Sequence, residues 1–297
     1  MWVILGPTNS GKTSLAELLK DTIGGQLVNI DAFQVYKEMD IGTAKSERKS
    51  EYEMIDLINP NVDFGVGAYI QSALPILNQL YNTGISPIIV GGSGLYARAL
   101  TTEFHDLAMA PNPLLRTSLN ELFDKEGTEG LVRKWTEIKA EHAIEEKEID
   151  LKNPMRVKRA IERALTGQNR MHFHIPPFIV RKFAIMPENV ILNSQILSRI
   201  DKMMQNGWIE EVLKLKSLGY GLTDPGMRAH GYRALYKVTE GKMTIVEARE
   251  RTYFDVRQYA KRQRTWLRKE PELAILTQNG VKEQLDFILN SQMGRNK

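Results

Sequence analysis

Gly6-Pro7-Thr8-Asn9-Ser10-Gly11-Lys12-Thr13 is the stretch that decides the fold. It fits the pattern G-x-x-x-x-G-K-[ST] at every position, and its surroundings are those the pattern requires. The apolar run Trp2 to Leu5 leads in. A helix-period segment from Lys12 to Ile23, with Leu15, Leu18, Leu19 and Ile23 on one face, leads out to Gly24 and Gly25. Glycines let such a loop wrap an anion, while its successive amides and the helix start supply positive potential. Gly6, Pro7, Thr8, Asn9, Ser10, Gly11, Lys12 and Thr13 are therefore candidate phosphate-binding residues. Lys12 is placed to neutralise terminal oxygens, and Thr13 to ligate a magnesium ion.

Outward from the loop, Leu27 to Ile30 and Pro87 to Val90 read as further strands, with Gly67 to Asn82 as a helix between them. Strand and helix alternating in units of about 30 residues predict a parallel α/β sheet, here a P-loop NTPase-like core flanked by helices. Past Pro111 the pattern turns to helical periods without strands, at Leu114 to Phe123, Thr128 to Glu146 and Pro154 to Leu165. Phe178 to Ile185 resumes a strand, followed by helices at Asn193 to Leu218, Arg228 to Glu240 and Ile245 to Leu267. The expected organisation is a core of residues 1–110 and 175–297, interrupted by a helical insertion domain at 111–174.

With 297 residues, 42% of them hydrophobic, the chain can bury a large core, which excludes disorder. The absence of cysteine excludes disulfides, thiolate metal sites and thiol nucleophiles, and is compatible with a reducing cytoplasm, the expected location. No run approaches the ~18 to 20 apolar residues of a membrane span. The N-terminus reads as structural, and a monomer without membrane contact is expected. The net charge of +4 hides a polarity: residues 1–150 carry 13 Lys+Arg against 22 Asp+Glu, and residues 151–297 carry 27 against 14. A polyanionic partner and merely solvated basic helices both fit that asymmetry. His105, His142, His172, His174 and His230 lack zinc-type spacing beyond the pair at 172 and 174, and read as structural or exposed.

Asp31 follows the second strand, at the end of an open sheet where ligand groups collect. It suits a general base, but also a cap or a carboxylate behind a metal. The strand Pro87 to Val90 ends in Gly91-Gly92-Ser93 and not in the second acid that nucleotide hydrolases carry, which disfavours a motor. A small-metabolite kinase and an RNA-binding protein that only senses phosphate remain alternatives.

Several motifs in order resemble the tRNA dimethylallyltransferases, also called tRNA isopentenyltransferases. They are the phosphate loop, Asp31 with Gln34-Val35-Tyr36 and Met39 to Lys45, Val90 to Tyr96, Asn153 to Ala160, Gly231-Tyr232, and Thr252 to Arg268. The resemblance spans residues 2 to about 268. It implies transfer of a dimethylallyl group from its diphosphate to N6 of the adenosine beside the anticodon of tRNA (position 37), with Mg²⁺ as cofactor. The loop would then hold diphosphate, not ATP. Asp31 would take the N6 proton, and Gln34 would read an adenine edge beside Ala32 and Phe33. Ser93, Arg116, the run Met155, Arg156, Val157, Lys158 and Arg159, then Arg228 and Arg233, and finally Lys261, Arg262, Arg264 and Arg268 would line the channel or grip RNA. Tyr259 and Trp266 lie among the last group, where Trp266 suits the core better than a stacking role. Departures from the family's usual residues fall at Ala32, Ser93, Tyr52 to Asp56 and Ile149 to Lys152.

Overall fold

The computed structural model describes residues 1–101, 112–144, 149–166, 173–277 and 280–293. Its centre is strand β1 (Trp2–Leu5), whose side chains alternate between two apolar layers. Val3 and Leu5 face one layer, Trp2 and Ile4 the other. Burial on both faces explains why the run is continuously apolar. The phosphate loop follows, then α1 (Lys12–Ile23), which stops where Gly24 adopts φ +71° and its N–H closes on the Lys20 carbonyl. Next come β2 (Gln26–Asn29), the two-residue β3 (Tyr52–Glu53), α2 (Val66–Asn82), β4 (Pro87–Gly91) and α3 (Gly94–Thr101).

Residues 112–166 contribute α4 (Pro113–Glu141), broken by non-helical backbone at Gly127, and α5 (Pro154–Thr166). The chain then forms β5 (Arg181–Ile185), α6 (Asn189–Gln205), α7 (Trp208–Ser217), α8 (Tyr232–Thr239), α9 (Ile245–Leu267), β6 (Leu273–Leu276) and α10 (Val281–Met293). All strand pairings are parallel, in the order β3-β2-β4-β1-β5-β6. Chain order reverses beside β1, with β4 on one side and β5 on the other. That is the switch point where loops diverge and leave a crevice.

The chain divides into two compact units, Met1–Thr102 with Ile175–Lys297, and Glu103–His174. The second has its own core of Leu119, Leu131, Trp135, Ile138, Val157, Ala160 and Ile161. The boundary expected at 110/111 lies outside the described residues, as do His105 and His172, whereas the helix expected to reach Glu146 ends at Glu141, where His142 closes its last turn on the Ile138 carbonyl.

Several elements differ from expectation. The single helix expected over Asn193 to Leu218 is two, because Gly207 at φ +94° turns the chain between α6 and α7. The strand expected from Phe178 starts only at Arg181, after Pro176 and Pro177. The helix expected from Arg228 starts at Tyr232, behind a 3₁₀ turn at Gly226–Arg228. By contrast α9 begins and ends where expected, fixed by a capping box in which Thr244 and Glu247 satisfy each other's backbone amides.

Candidate active site

The phosphate loop leaves β1 at Gly6, where a Cβ would meet the Ser10 hydroxyl at 2.3 Å. Gly11, at φ +86°, turns the chain into α1 and leaves that helix start without a side-chain cap. The free amides of a first helical turn are what an anion would use. Half-buried Lys12 donates to the Pro7 carbonyl at 3.2 Å, which folds its side chain back over the loop.

Asp31 stands just past β2. Its Oδ1 accepts the Phe33 N–H at 2.9 Å, closing a short turn, and its own N–H donates to Asn29 Oδ1 at 3.2 Å. Asn29 is in turn fixed by donating to the Met54 carbonyl at 3.1 Å and accepting from the Tyr69 hydroxyl at 2.8 Å. The cap-like and site-forming readings of Asp31 thus coexist: one oxygen closes the turn, and the carboxylate still lines the crevice.

Sequence reasoning missed Arg199. It lies on α6, far along the chain from any motif, yet it donates to Asn9 Oδ1 at 3.3 Å and lines the same cavity as Lys12 and Asp31. Burial depresses its pKa, with Asp31 opposing. Burial likewise holds Lys12 down to about 8, helped by Arg199 and opposed by Asp31. Neither cation reaches a carboxylate within ion-pairing distance among the described residues. Two desolvated positive charges facing one carboxylate describe a site electrostatically incomplete without an anion.

The cavity encloses about 730 Å³, including its mouth, and away from the loop its wall is apolar, with Ile196, Ile200, Met203 and Val256. Phe33 and Thr43 also line it, as does His230, which is therefore neither a core nor a plain surface residue. Burial lowers the His230 pKa, and its ring stands 4.9 Å from that of Tyr259. Thr13 opens into an adjoining pocket with Asn29, Asp31 and Gln34. The Gln34 amide donates to the Thr43 and Ala44 carbonyls at 3.0 and 3.2 Å. Its N–H groups are thus engaged in shaping the loop over the cavity. That loop is anchored from outside by Glu211, which accepts the amides of Asp40, Ile41 and Gly42 and the Tyr232 hydroxyl.

A family model described as IPP transferase matches residues 34–270. A tRNA dimethylallyltransferase of Geobacter metallireducens is 33% identical over 305 residues, covering 98% of this chain and 96% of the relative. The chain belongs to the IPP transferase family. A second relative, from an Exiguobacterium species, is 34% identical over 274 residues, covering 90% of this chain and 87% of its own. The fold agrees with the crystal structure of the full-length tRNA isopentenylpyrophosphate transferase of Bacillus halodurans. There the TM-score is 0.71 at 28% identity, with 99% and 97% of the two chains covered.

The remaining positions singled out from the IPP transferase resemblance fall into separate places. Ser93 lies within hydrogen-bonding reach of Tyr259. Ala32 packs against the sheet core. On α9, Arg262 stacks over Tyr259, whereas Lys261, Arg264 and Arg268 line an outer groove that also takes in Arg251 and Arg257. Arg264 donates to the Pro187 carbonyl, so its guanidinium is partly committed. Trp266 packs on the sheet core under Arg98. Arg228 and Arg233 are exposed.

In the second unit, Val157 is fully buried in the local core and has no surface to offer RNA, which corrects its placement among contact residues. The helical period explains it, since Val157 belongs to the apolar stripe of α5. Met155 is 71% exposed. Arg156 is exposed and 3.8 Å from Asp150. Lys158 donates to Asn120 at 2.7 Å. Arg116 and Arg159 both bind Glu162, at 2.8 and 2.7 Å.

Proposed function

We propose that this chain transfers a dimethylallyl group from dimethylallyl diphosphate to N6 of adenosine 37 of tRNA, releasing diphosphate. The observation that carries the reading is one cavity holding the phosphate loop, two carboxylate-free cations, a single carboxylate and an apolar wall. The apolar wall suits a short allylic chain, and the loop suits its diphosphate. Asp31 then faces the point where an amine would attack. In the step itself, the N6–C bond forms as the allylic C–O bond breaks, and the diphosphate leaves with that electron pair. The N6 proton passes to the Asp31 carboxylate, which matters because an adenine amino group is a weak nucleophile. Lys12, Arg199 and the free loop amides stabilise the negative charge that grows on the leaving group.

The donor set fits a magnesium ion: the Thr13 hydroxyl and the Asp31 carboxylate are hard oxygen ligands in one pocket, and Mg²⁺ takes few protein ligands when substrate phosphates supply the rest. Thr13 would hold it, and the ion would add charge neutralisation at the diphosphate. The adenosine must leave its stack to reach this depth, at a cost of a few kcal/mol that an anticodon loop reduces. The groove cations of α9 would hold the RNA backbone.

The test is incubation with unmodified tRNA, Mg²⁺ and labelled dimethylallyl diphosphate. Label is expected in the RNA, at adenosine 37; an unlabelled RNA beside an active family enzyme would reject the proposal.

A further inference from the structure

Helix α9 places one side chain between two strand ends. Gln263, 6% exposed, accepts the Thr8 N–H through Oε1 at 2.9 Å and donates through Nε2 to the Gly92 carbonyl at 3.0 Å. Thr8 belongs to the phosphate loop after β1, and Gly92 to the turn after β4, the neighbouring strand. A single amide therefore ties together the two chain segments that diverge at the switch point. The fit has no slack. A Cβ on Gly92 would stand 2.1 Å from Gln263 Nε2 and 3.2 Å from the Gly6 carbonyl oxygen. Tyr259, one turn earlier on α9, has its hydroxyl within hydrogen-bonding reach of Gln263 as well as Ser93.

The loop holds itself only loosely on that side. Pro7 has no N–H to offer, the bond from Ser10 N–H to the Pro7 carbonyl is long at 3.3 Å, and the Ser10 hydroxyl is buried without a partner. Asn9 adopts φ +66°, a left-handed conformation that asparagine enters more readily than most side chains. A loop so weakly bonded internally depends for its shape on what holds it from outside. Thr8 is the amide that Gln263 removes from the set available to a ligand; of those after it, Ser10 makes the long bond to Pro7, and the amides of Asn9, Gly11, Lys12 and Thr13 have no acceptor among the described residues.

We propose that Gln263 is a positioning residue for the diphosphate subsite. It touches no substrate; it acts through Thr8 and Gly92, holding the phosphate loop so that the later amides and Lys12 converge on one anion. This rests on the reading of the loop as a diphosphate cradle.

Binding of inorganic diphosphate with Mg²⁺ to the full chain, measured by calorimetry, separates the two ideas. The variants are Gln263→Met, Gly92→Ala, the pair combined, and Lys12→Ala as control. Each single change at the brace is expected to weaken diphosphate by about tenfold, the equivalent of one or two hydrogen bonds. The combined variant should lose no more than the worse single one, because both changes break the same brace. tRNA affinity should stay put, and KM for the diphosphate donor should rise more than kcat falls. Wild-type affinity in Gln263→Met, or losses that multiply in the pair, would overturn the proposal alone. A wild-type protein that fails to bind diphosphate overturns the cradle and the brace together. If Gln263→Met does not fold, Gly92→Ala decides: the tenfold loss supports the brace and unchanged affinity rejects it.

Discussion

Two sets of cations in this chain are treated in opposite ways. In the second unit, Arg116 and Arg159 converge on Glu162, which is buried and also accepts the Asn112 N–H. Burial alone would raise the Glu162 pKa, but the two guanidiniums outweigh it and hold it low. Around the phosphate loop, Lys12 and Arg199 are desolvated with only an amide oxygen and a carbonyl as partners, and Asp31 acts on them through space. The first arrangement is closed, and its charges stabilise the fold. The second is open, its cost uncompensated until an anion arrives. On the proposed function, the presence or absence of a paired counter-charge would separate cations that hold this protein together from cations that bind an anion.

The largest effect should come from the carboxylate in the open site. Asp31→Asn removes the proton acceptor and is expected to lower the transfer rate by about 10² to 10⁴, with tRNA affinity unchanged in a gel-shift or fluorescence titration. Arg199→Ala should lower kcat/KM by about 10² while leaving the thermal midpoint of the unliganded protein equal or higher, because a desolvated cation without a paired counter-charge has been removed. The closed cluster should behave in reverse. Glu162→Ala strands two guanidiniums and is expected to cost about 2 to 3 kcal/mol in chemical denaturation, below the range for wholly buried pairs because both arginines are partly exposed. A stability loss in Arg199→Ala as large as that in Glu162→Ala would dissolve the distinction.

This contrast also marks what the sequence could and could not reveal. The loop, α1, β4 and Asp31 were legible because their constraints are local: a glycine turn, a helical period, an acid at a strand end. The family resemblance extended this to tRNA and to α9. Arg199 was illegible because it reaches Asn9 across 190 positions of chain, from a helix with no motif. Gln263 lay inside a recognised motif, but its bonds to Thr8 and Gly92 exist only after α9 packs on the sheet. Strand β3 is two residues long, too short for a periodic signal, and β6 is an edge strand whose residues are mostly only partly buried, so it lacks the full burial that marks β1. Val157 was assigned with its basic neighbours because a run of letters does not show that one member turns inward.

Lys12 gives the comparison a pH axis. Its folded pKa, near 8, lies below the ordinary 10.5, so between those values the unfolded chain binds more protons. The stability of the unliganded protein should therefore rise as pH increases through that window. Diphosphate affinity should move the other way, falling above pH 8 by up to about tenfold per pH unit as the loop loses a charge that the anion requires. Calorimetry at several pH values, with Lys12→Met as the reference whose affinity lacks this component, measures it. A wild-type profile parallel to that of Lys12→Met would mean that Lys12 already has its counter-charge.

The smallest effects test whether the groove on α9 belongs with the open cations or the closed ones. Lys261 and Arg268 are exposed and have no ion pair among the described residues, so each is free to release a counterion when it meets a phosphate. Lys261→Ala and Arg268→Ala should each reduce the slope of log affinity for tRNA against log salt by about 0.7 to 0.9. Arg264→Ala should change it less, since its guanidinium already donates to the Pro187 carbonyl. Arg159→Ala, made in the closed cluster, should lower stability and leave the slope alone, because a guanidinium held by Glu162 has little charge left to exchange. If Arg159→Ala flattens the slope as much as Lys261→Ala does, then pairing in the free protein does not predict which cations RNA uses. The cluster at Glu162 would in that case have to open when the tRNA arrives.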